Sequence, residues 1–222
     1  CAFLWLMKIS DLETPAAIVD LGVMEINLSR MADYCRKHQL LLRPHTKSHK
    51  IPELAKRQIA SGATGITVAK IGEAEVMLNA GITDILIAYP IVGPDKAKRL
   101  ATIAERATIT VSLDSEEAAV SISEAVSQQG AKVGILVELD VGFHRCGLVN
   151  EVDAVRLAKK ITSLPGLEFK GLMFFPGHFG VGPEQRVALR NEVNCFLDRT
   201  FETFVGGGVP LPIISAGPTP TA

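Results

Sequence analysis

LLLRPHTKSHK, residues 40–50, reads as a buried strand that runs out into cationic chemistry. Leu40, Leu41 and Leu42 form an apolar run too short for a helix core. Pro44 has no N–H to donate and biases Arg43 towards extended backbone. Alternate side chains of an extended segment share a face, which predicts Arg43, His45, Lys47 and His49 on one side. Such a row of cationic or titratable groups is costly to hold at a strand end without an anionic ligand. A lysine there is a candidate nucleophile, because a free lysine amine is what Schiff-base chemistry with a carbonyl needs. The plainer alternative is a solvated basic turn.

Working outward, apolar runs and helical periodicity alternate along the chain. Short strands are expected at 65–69, 84–90, 108–114, 133–140, 169–175 and 212–216, and helices at 52–60, 72–79, 94–106, 115–129, 152–163 and 183–204. The punctuation agrees. Pro94 suits a first helical turn, Ser115 precedes Glu116 and Glu117, and Gly81 and Gly130 follow helix ends. A further strand is expected at 14–20 and a helix over 22–38. With the run at 40, seven βα units predict an α/β fold: a (β/α)8 TIM-type barrel, incomplete at its C-terminal end. An open doubly wound sheet would show a glycine-rich turn after its first strand, and none is present. The barrel domain is expected over 14–222, after an N-terminal extension of 1–13.

Bulk composition narrows the function classes. The 222 residues carry a net charge of -1, which gives no support to nucleic-acid binding or a polybasic membrane role. Four cysteines without a CxxC suggest a reduced, cytoplasmic protein. CAFLWLM (1–7) is apolar but lacks a basic flank and is too short to span a membrane, and Met7 reads as the more natural start.

In a barrel, functional groups gather at the C-terminal ends of the strands. Those ends carry His45, Lys47 and His49; Thr67, Lys70 and Glu73; Tyr89; Ser112 and Asp114; Glu138, Asp140, His144 and Arg145; His178; and Ser215, Gly217, Thr219 and Thr221. The loop SAGPTPT (215–221) follows the last strand, where barrels often bind phosphate. Together with a reactive lysine it suggests a phosphorylated aldehyde cofactor. The Arg145 guanidinium suits a phenolate or carboxylate oxygen. By strand parity Glu138 and Asp140 face inward, and one of them is expected to pair with Arg43 or Arg145. His45 and His49 stand at i, i+4, a zinc spacing on a helix but not on a strand, and no further ligands follow.

RPHTKSHK (43–50), GITVAKIGEAEV (65–76), DILIAYP (84–90) and DVGFHRCG (140–147) resemble the D-threonine aldolase and D-serine dehydratase family, pyridoxal-phosphate enzymes with the alanine racemase type of barrel. The resemblance covers about residues 12–221. It implies that Lys47 is the Schiff-base lysine, that His45 or His49 assists proton transfer, and that Arg145 lies near the cofactor's ring oxygen. Tyr89 and His178 would line the cofactor pocket, with Ser215, Gly217 and Thr219 at the phosphate. The implied reaction is retro-aldol cleavage of a small β-hydroxy-D-amino acid, foremost D-threonine, to glycine and an aldehyde. The alternatives are β-elimination from D-serine, racemisation, or cofactor binding without turnover. Two residues depart from the family pattern: Phe175 stands where a tyrosine is usual, and Pro218 removes an amide from the phosphate loop. The family's divalent metal (manganese, magnesium or zinc) belongs to a C-terminal β domain, before which this chain ends. A homodimer is implied for the full-length protein.

Overall fold

The computed structural model describes residues 8–217. They fall into two units, one up to Leu42 and one from Arg43 onward. In the first, the main element is α1 (Leu21–Lys37), capped by Asp20, whose carboxylate accepts the Val23 N–H at 3.0 Å. The strand expected over 14–20 is not formed. Those residues are irregular up to the cap, because an extended run becomes a strand only where a neighbour takes its backbone groups.

The second unit alternates helix and strand. Its elements are α2 (Pro52–Ala60), β1 (Ile66–Val68), α3 (Ile71–Asn79), β2 (Asp84–Ile87), α4 (Pro94–Ala104), β3 (Thr108–Leu113), α5 (Glu116–Gln128), β4 (Val133–Leu139), α6 (Glu151–Ser163), β5 (Leu167–Phe174), α7 (Pro183–Gly206) and β6 (Ile213–Ala216). The strands form one parallel sheet in the order β1-β2-β3-β4-β5-β6. This order and the helical crossovers make an incomplete (β/α)8 barrel, as the sequence predicts. β4 is buried along its whole length, as a parallel strand covered on both faces must be.

Strand parity sorts the two faces. Ile85, Ile87, Ile135, Val137 and Leu172 pack with the helices, against Leu100, Ile122, Val126, Ala158 and Ile161. Leu86, Leu136 and Met173 alternate with them and form a separate apolar cluster on the other face. Thr67, Ser112, Glu138 and Ser215 share that inner face by parity and register, so it turns polar towards the strand ends. The β4–β5 register shifts at Ile135/Leu136. Just beyond, Gly171 has φ +128°, and a Cβ there would run into the backbone of Ile213 on β6.

Residues 40–47 do not form a strand. His45 makes a single bridge to Thr67, the Thr67 N–H donates to the Pro44 carbonyl at 2.8 Å, and a 3-10 turn follows at Thr46–Ser48. Side-chain chemistry decides this: the His45 ring accepts the Lys47 N–H and closes the turn. Among the described residues six strands therefore stand where seven are expected. The turn also breaks the alternation from Arg43 to His49.

Candidate active site

Arg43 leaves the cationic row altogether. Its guanidinium bonds the Asp84 carboxylate at 2.8 Å, at the start of β2. Gly65 is needed beneath it, since a Cβ there would strike that guanidinium. The inward carboxylates also find other partners than expected. Glu138, 2% exposed, accepts the Ser112 hydroxyl and the Cys146 thiol, each at 2.9 Å. Burial and the adjoining Glu138 push the Cys146 thiol up to about 11, so it acts as a donor. Asp140 pairs with neither arginine. It accepts from the Gly142 and His144 N–H groups at 2.9 Å, and its other oxygen lies 3.1 Å from the His144 ring. Burial lifts the Asp140 carboxyl, but these donors outweigh it and hold the group below the ordinary carboxylate range. The 140–147 loop is closed by a 2.8 Å bond from the Gly147 N–H to Asp114. It presents Arg145.

The cations that remain converge on an aromatic ring. Lys47 Nζ lies 5.5 Å from the centre of the Phe175 ring, and the Arg145 guanidinium carbon lies 5.0 Å from the same ring and 5.4 Å from that of Phe143. Phe143 meets Phe175 edge-on at 5.7 Å and lies nearly parallel to His178 at 6.5 Å. The 3-10 turn Gly177–Phe179 that follows β5 carries His178. Its Nδ1 is buried without a hydrogen-bond partner, an atom waiting for a polar group. Aromatic faces that hold cations by their quadrupoles bring an amine, a guanidinium and an imidazole to one mouth of the sheet.

The Lys47 turn is held from β1. Thr46, fully buried, donates its hydroxyl to the Thr67 carbonyl at 3.2 Å. His45 Nδ1 accepts the Lys47 N–H at 3.2 Å, which leaves any ring proton on Nε2. Burial lowers the His45 pKa to about 4, the Lys47 and Arg145 charges push the same way, and Glu73 and the Thr67 carbonyl only partly offset them. His45 is therefore neutral near pH 7. His49 Nδ1 accepts the Ile51 N–H at 3.0 Å ahead of α2, and its Nε2 is buried without a partner. With each Nδ1 engaged by backbone, the two histidines do not form a ligand pair through those atoms. Among the described residues, no three His, Cys, Asp or Glu side chains gather as they would around a metal ion.

Of the other expected residues, Tyr89 is 55% exposed just beyond β2. Ser215 is half-buried on β6, and Gly217 follows with φ +93°. Thr219, Pro218 and Thr221 lie outside the described residues. The Ser112–Glu138–Cys146 chain escapes sequence reasoning, because a cysteine in a glycine-rich loop carries no signal of its partner. Glu73 is visible only as a polar residue after β1. In the structure it accepts the Ala69 N–H at 2.8 Å and the Lys50 ammonium at 3.1 Å. Burial lifts its carboxyl, and those two donors with the Lys70 charge bring it below the ordinary range.

The alanine racemase N-terminal domain family matches residues 19–222. A D-threonine aldolase of an Arthrobacter species is 40% identical over 169 residues, covering 76% of this chain and 45% of that protein. A 3-hydroxy-D-aspartate aldolase of Paracoccus denitrificans is 32% identical over 220 residues, covering 96% and 56%. The crystal structure of D-threonine aldolase from Filomicrobium marinum superposes with a TM-score of 0.90 at 37% identity, over 94% of this chain and 57% of that one. The chain thus spans about half the length of the relatives it matches. No helix among the described residues is long and apolar enough to cross a membrane.

Proposed function

The chain belongs to the alanine racemase N-terminal domain family, and from that premise we propose that it is the cofactor-binding barrel of a pyridoxal-phosphate-dependent lyase of β-hydroxy-D-amino acids, cleaving D-threonine to glycine and an aldehyde. The observation that carries this reading is the Phe175 ring, approached by the Lys47 amine at 5.5 Å and the Arg145 guanidinium at 5.0 Å. The donor set fits the cofactor: an amine for its aldehyde, a guanidinium for its phenolic oxygen, and a buried, unpartnered His178 Nδ1 for a further polar group. Ser215, Gly217 and Thr219 would take the phosphate. When bound, pyridoxal phosphate supplies the electron sink for breaking a bond next to the amino-acid α-carbon.

The protein's own groups do the rest. Lys47 holds the cofactor and moves a proton at Nζ. Arg145, fixed by a closed loop, holds an anionic oxygen. His45 fixes the turn and, being neutral, adds no charge beside the amine. Phe175 supplies a face but no phenolic hydrogen bond. The free cysteines Cys35, Cys146 and Cys195 suit a reducing cytoplasm.

The test is borohydride reduction of the protein with pyridoxal phosphate, followed by peptide mass mapping. A pyridoxyl group on Lys47, lost in Lys47→Ala, is the expected result. Labels scattered over surface lysines overturn the assignment. Release of glycine from D-threonine by the cofactor-loaded full-length protein then separates aldol cleavage from β-elimination, which yields a keto acid and ammonia.

A further inference from the structure

The turn that carries Lys47 carries a second amine three residues on. Lys50 is at φ +53°, a left-handed conformation that a lysine adopts at some cost. Its N–H donates to the Thr46 carbonyl at 2.8 Å and closes the turn. Its side chain is 56% exposed, and Nζ sits 3.1 Å from Glu73 Oε1. Glu73 itself is 8% exposed, a buried carboxylate that also caps the end of β1 through Ala69. Lys47 has no such partner. Among the described residues its ammonium forms no ion pair, and it lies 5.5 Å from the centre of the Phe175 ring. One short turn therefore carries two lysine amines in different surroundings.

Those amines differ in chemistry. An amine attacks an aldehyde carbon through its nitrogen lone pair, forming a C=N bond as water leaves. An amine ion-paired to a carboxylate must break that contact before its nitrogen can turn to an aldehyde. An aromatic face attracts an ammonium more weakly and gives its proton no acceptor.

We infer that Glu73 is a positioning residue that selects which lysine reacts: it engages Lys50 as an ion pair and so leaves Lys47 as the amine open to a phosphorylated aromatic aldehyde. The same carboxylate, through Ala69, fixes the end of β1 against which Thr46 and His45 hold the turn. This assignment rests on the reading of Lys47 as the cofactor lysine.

The experiment measures the ratio of pyridoxyl label on Lys50 to that on Lys47 after brief treatment with pyridoxal phosphate and borohydride, in the native chain and in Glu73→Gln. Glutamine keeps an oxygen for the Ala69 N–H and removes the charge. The expected result is label on Lys47 in the native protein and a Lys50 share that rises about two- to fivefold in the variant, the range a half-exposed ion pair supports. An unchanged ratio in a folded variant overturns the inference and leaves Glu73 as a cap. If native label misses Lys47, the cofactor reading itself fails, a distinguishable outcome. Should Glu73→Gln not fold, the native ratio at low and at molar salt decides. Screening of the ion pair raises the Lys50 share, and a constant share overturns the inference.

Discussion

The molecule presents Lys47 and Arg145 on turns of different construction. The 140–147 loop, which carries Arg145, is tied down by carboxylates: Asp140 accepts from two loop amides and lies against the His144 ring, Asp114 accepts the Gly147 N–H, and Glu138 accepts the Cys146 thiol. The 43–50 turn, which carries Lys47, is closed instead by a ring nitrogen and a carbonyl, His45 Nδ1 accepting the Lys47 N–H and Thr46 the Lys50 N–H, and only its neighbours, the β1 backbone and the Lys50–Glu73 pair, anchor it from outside. A guanidinium that only recognises a fixed oxygen benefits from a rigid frame. An amine that must form a bond and pass a proton needs a held base and an unpaired head. The difference in hydrogen bonding thus matches the difference in proposed task.

The largest effect is expected from spoiling the 140–147 loop. Gly147 has φ +107°, and a Cβ on it would overlap the backbone of Leu139 and Asp140. Gly147→Ala is expected to cost about 3 kcal/mol or more, combining backbone strain and overlap. Urea unfolding measures it. A loss below about 1 kcal/mol would show that the loop yields and is not the rigid frame argued for. Asp140→Ala comes next. It removes one acceptor from three donors, but the Gly142 and His144 amides reach water, so about 1–2 kcal/mol is expected rather than the full cost of buried orphans. The same variant should weaken cofactor binding through Arg145 while leaving Lys47 labelling in place at saturating cofactor. Loss of labelling at saturation would couple the two turns and erase the distinction.

The barrel was readable because its signals are local. Pro94, Ser115 with its glutamates, Gly81 and Gly130 mark helix ends by chemistry that acts within one turn. The apolar runs of β2 to β5 need no knowledge of their partners. The 43–50 turn is not readable in the same way. Strand parity placed Arg43 beside Lys47, but parity holds only where a neighbour pairs residue by residue, and here one bridge is all that forms. Arg43 instead finds Asp84, 41 residues away, a pairing set by where β2 starts in the sheet. His45 closes its turn with a ring nitrogen, and Glu73 reaches back across β1. Such bonds depend on tertiary placement, which no spacing rule encodes. The residue types of the site were thus visible, while the Phe175 ring as their meeting point was not.

The smallest expected effect tests the other turn. His45 in the folded protein has its pKa lowered to about 4 from an ordinary 6.5, first by burial and then by the Lys47 charge. Between those values the unfolded chain binds a proton that the folded chain refuses. Stability contributed by the neutral ring is therefore complete above pH 6.5 and falls as pH drops towards 4. The ring is partly exposed, so the loss is discounted to about 1 kcal/mol. His45→Asn keeps a side-chain acceptor for the Lys47 N–H and removes the titrating group. Denaturant midpoints at neutral and mildly acid pH should then converge more in the variant than in the native chain, by about that 1 kcal/mol. Asp140 and Glu73, held below their ordinary 3.8 and 4.5, give up their stability only as pH falls through and below those values, at the acid end of this window and beyond it. Only the difference between variant and native slopes therefore reports on His45. Equal slopes would mean that the imidazole takes its proton without disturbing the turn, and that Thr46 and Glu73 alone hold Lys47 in place.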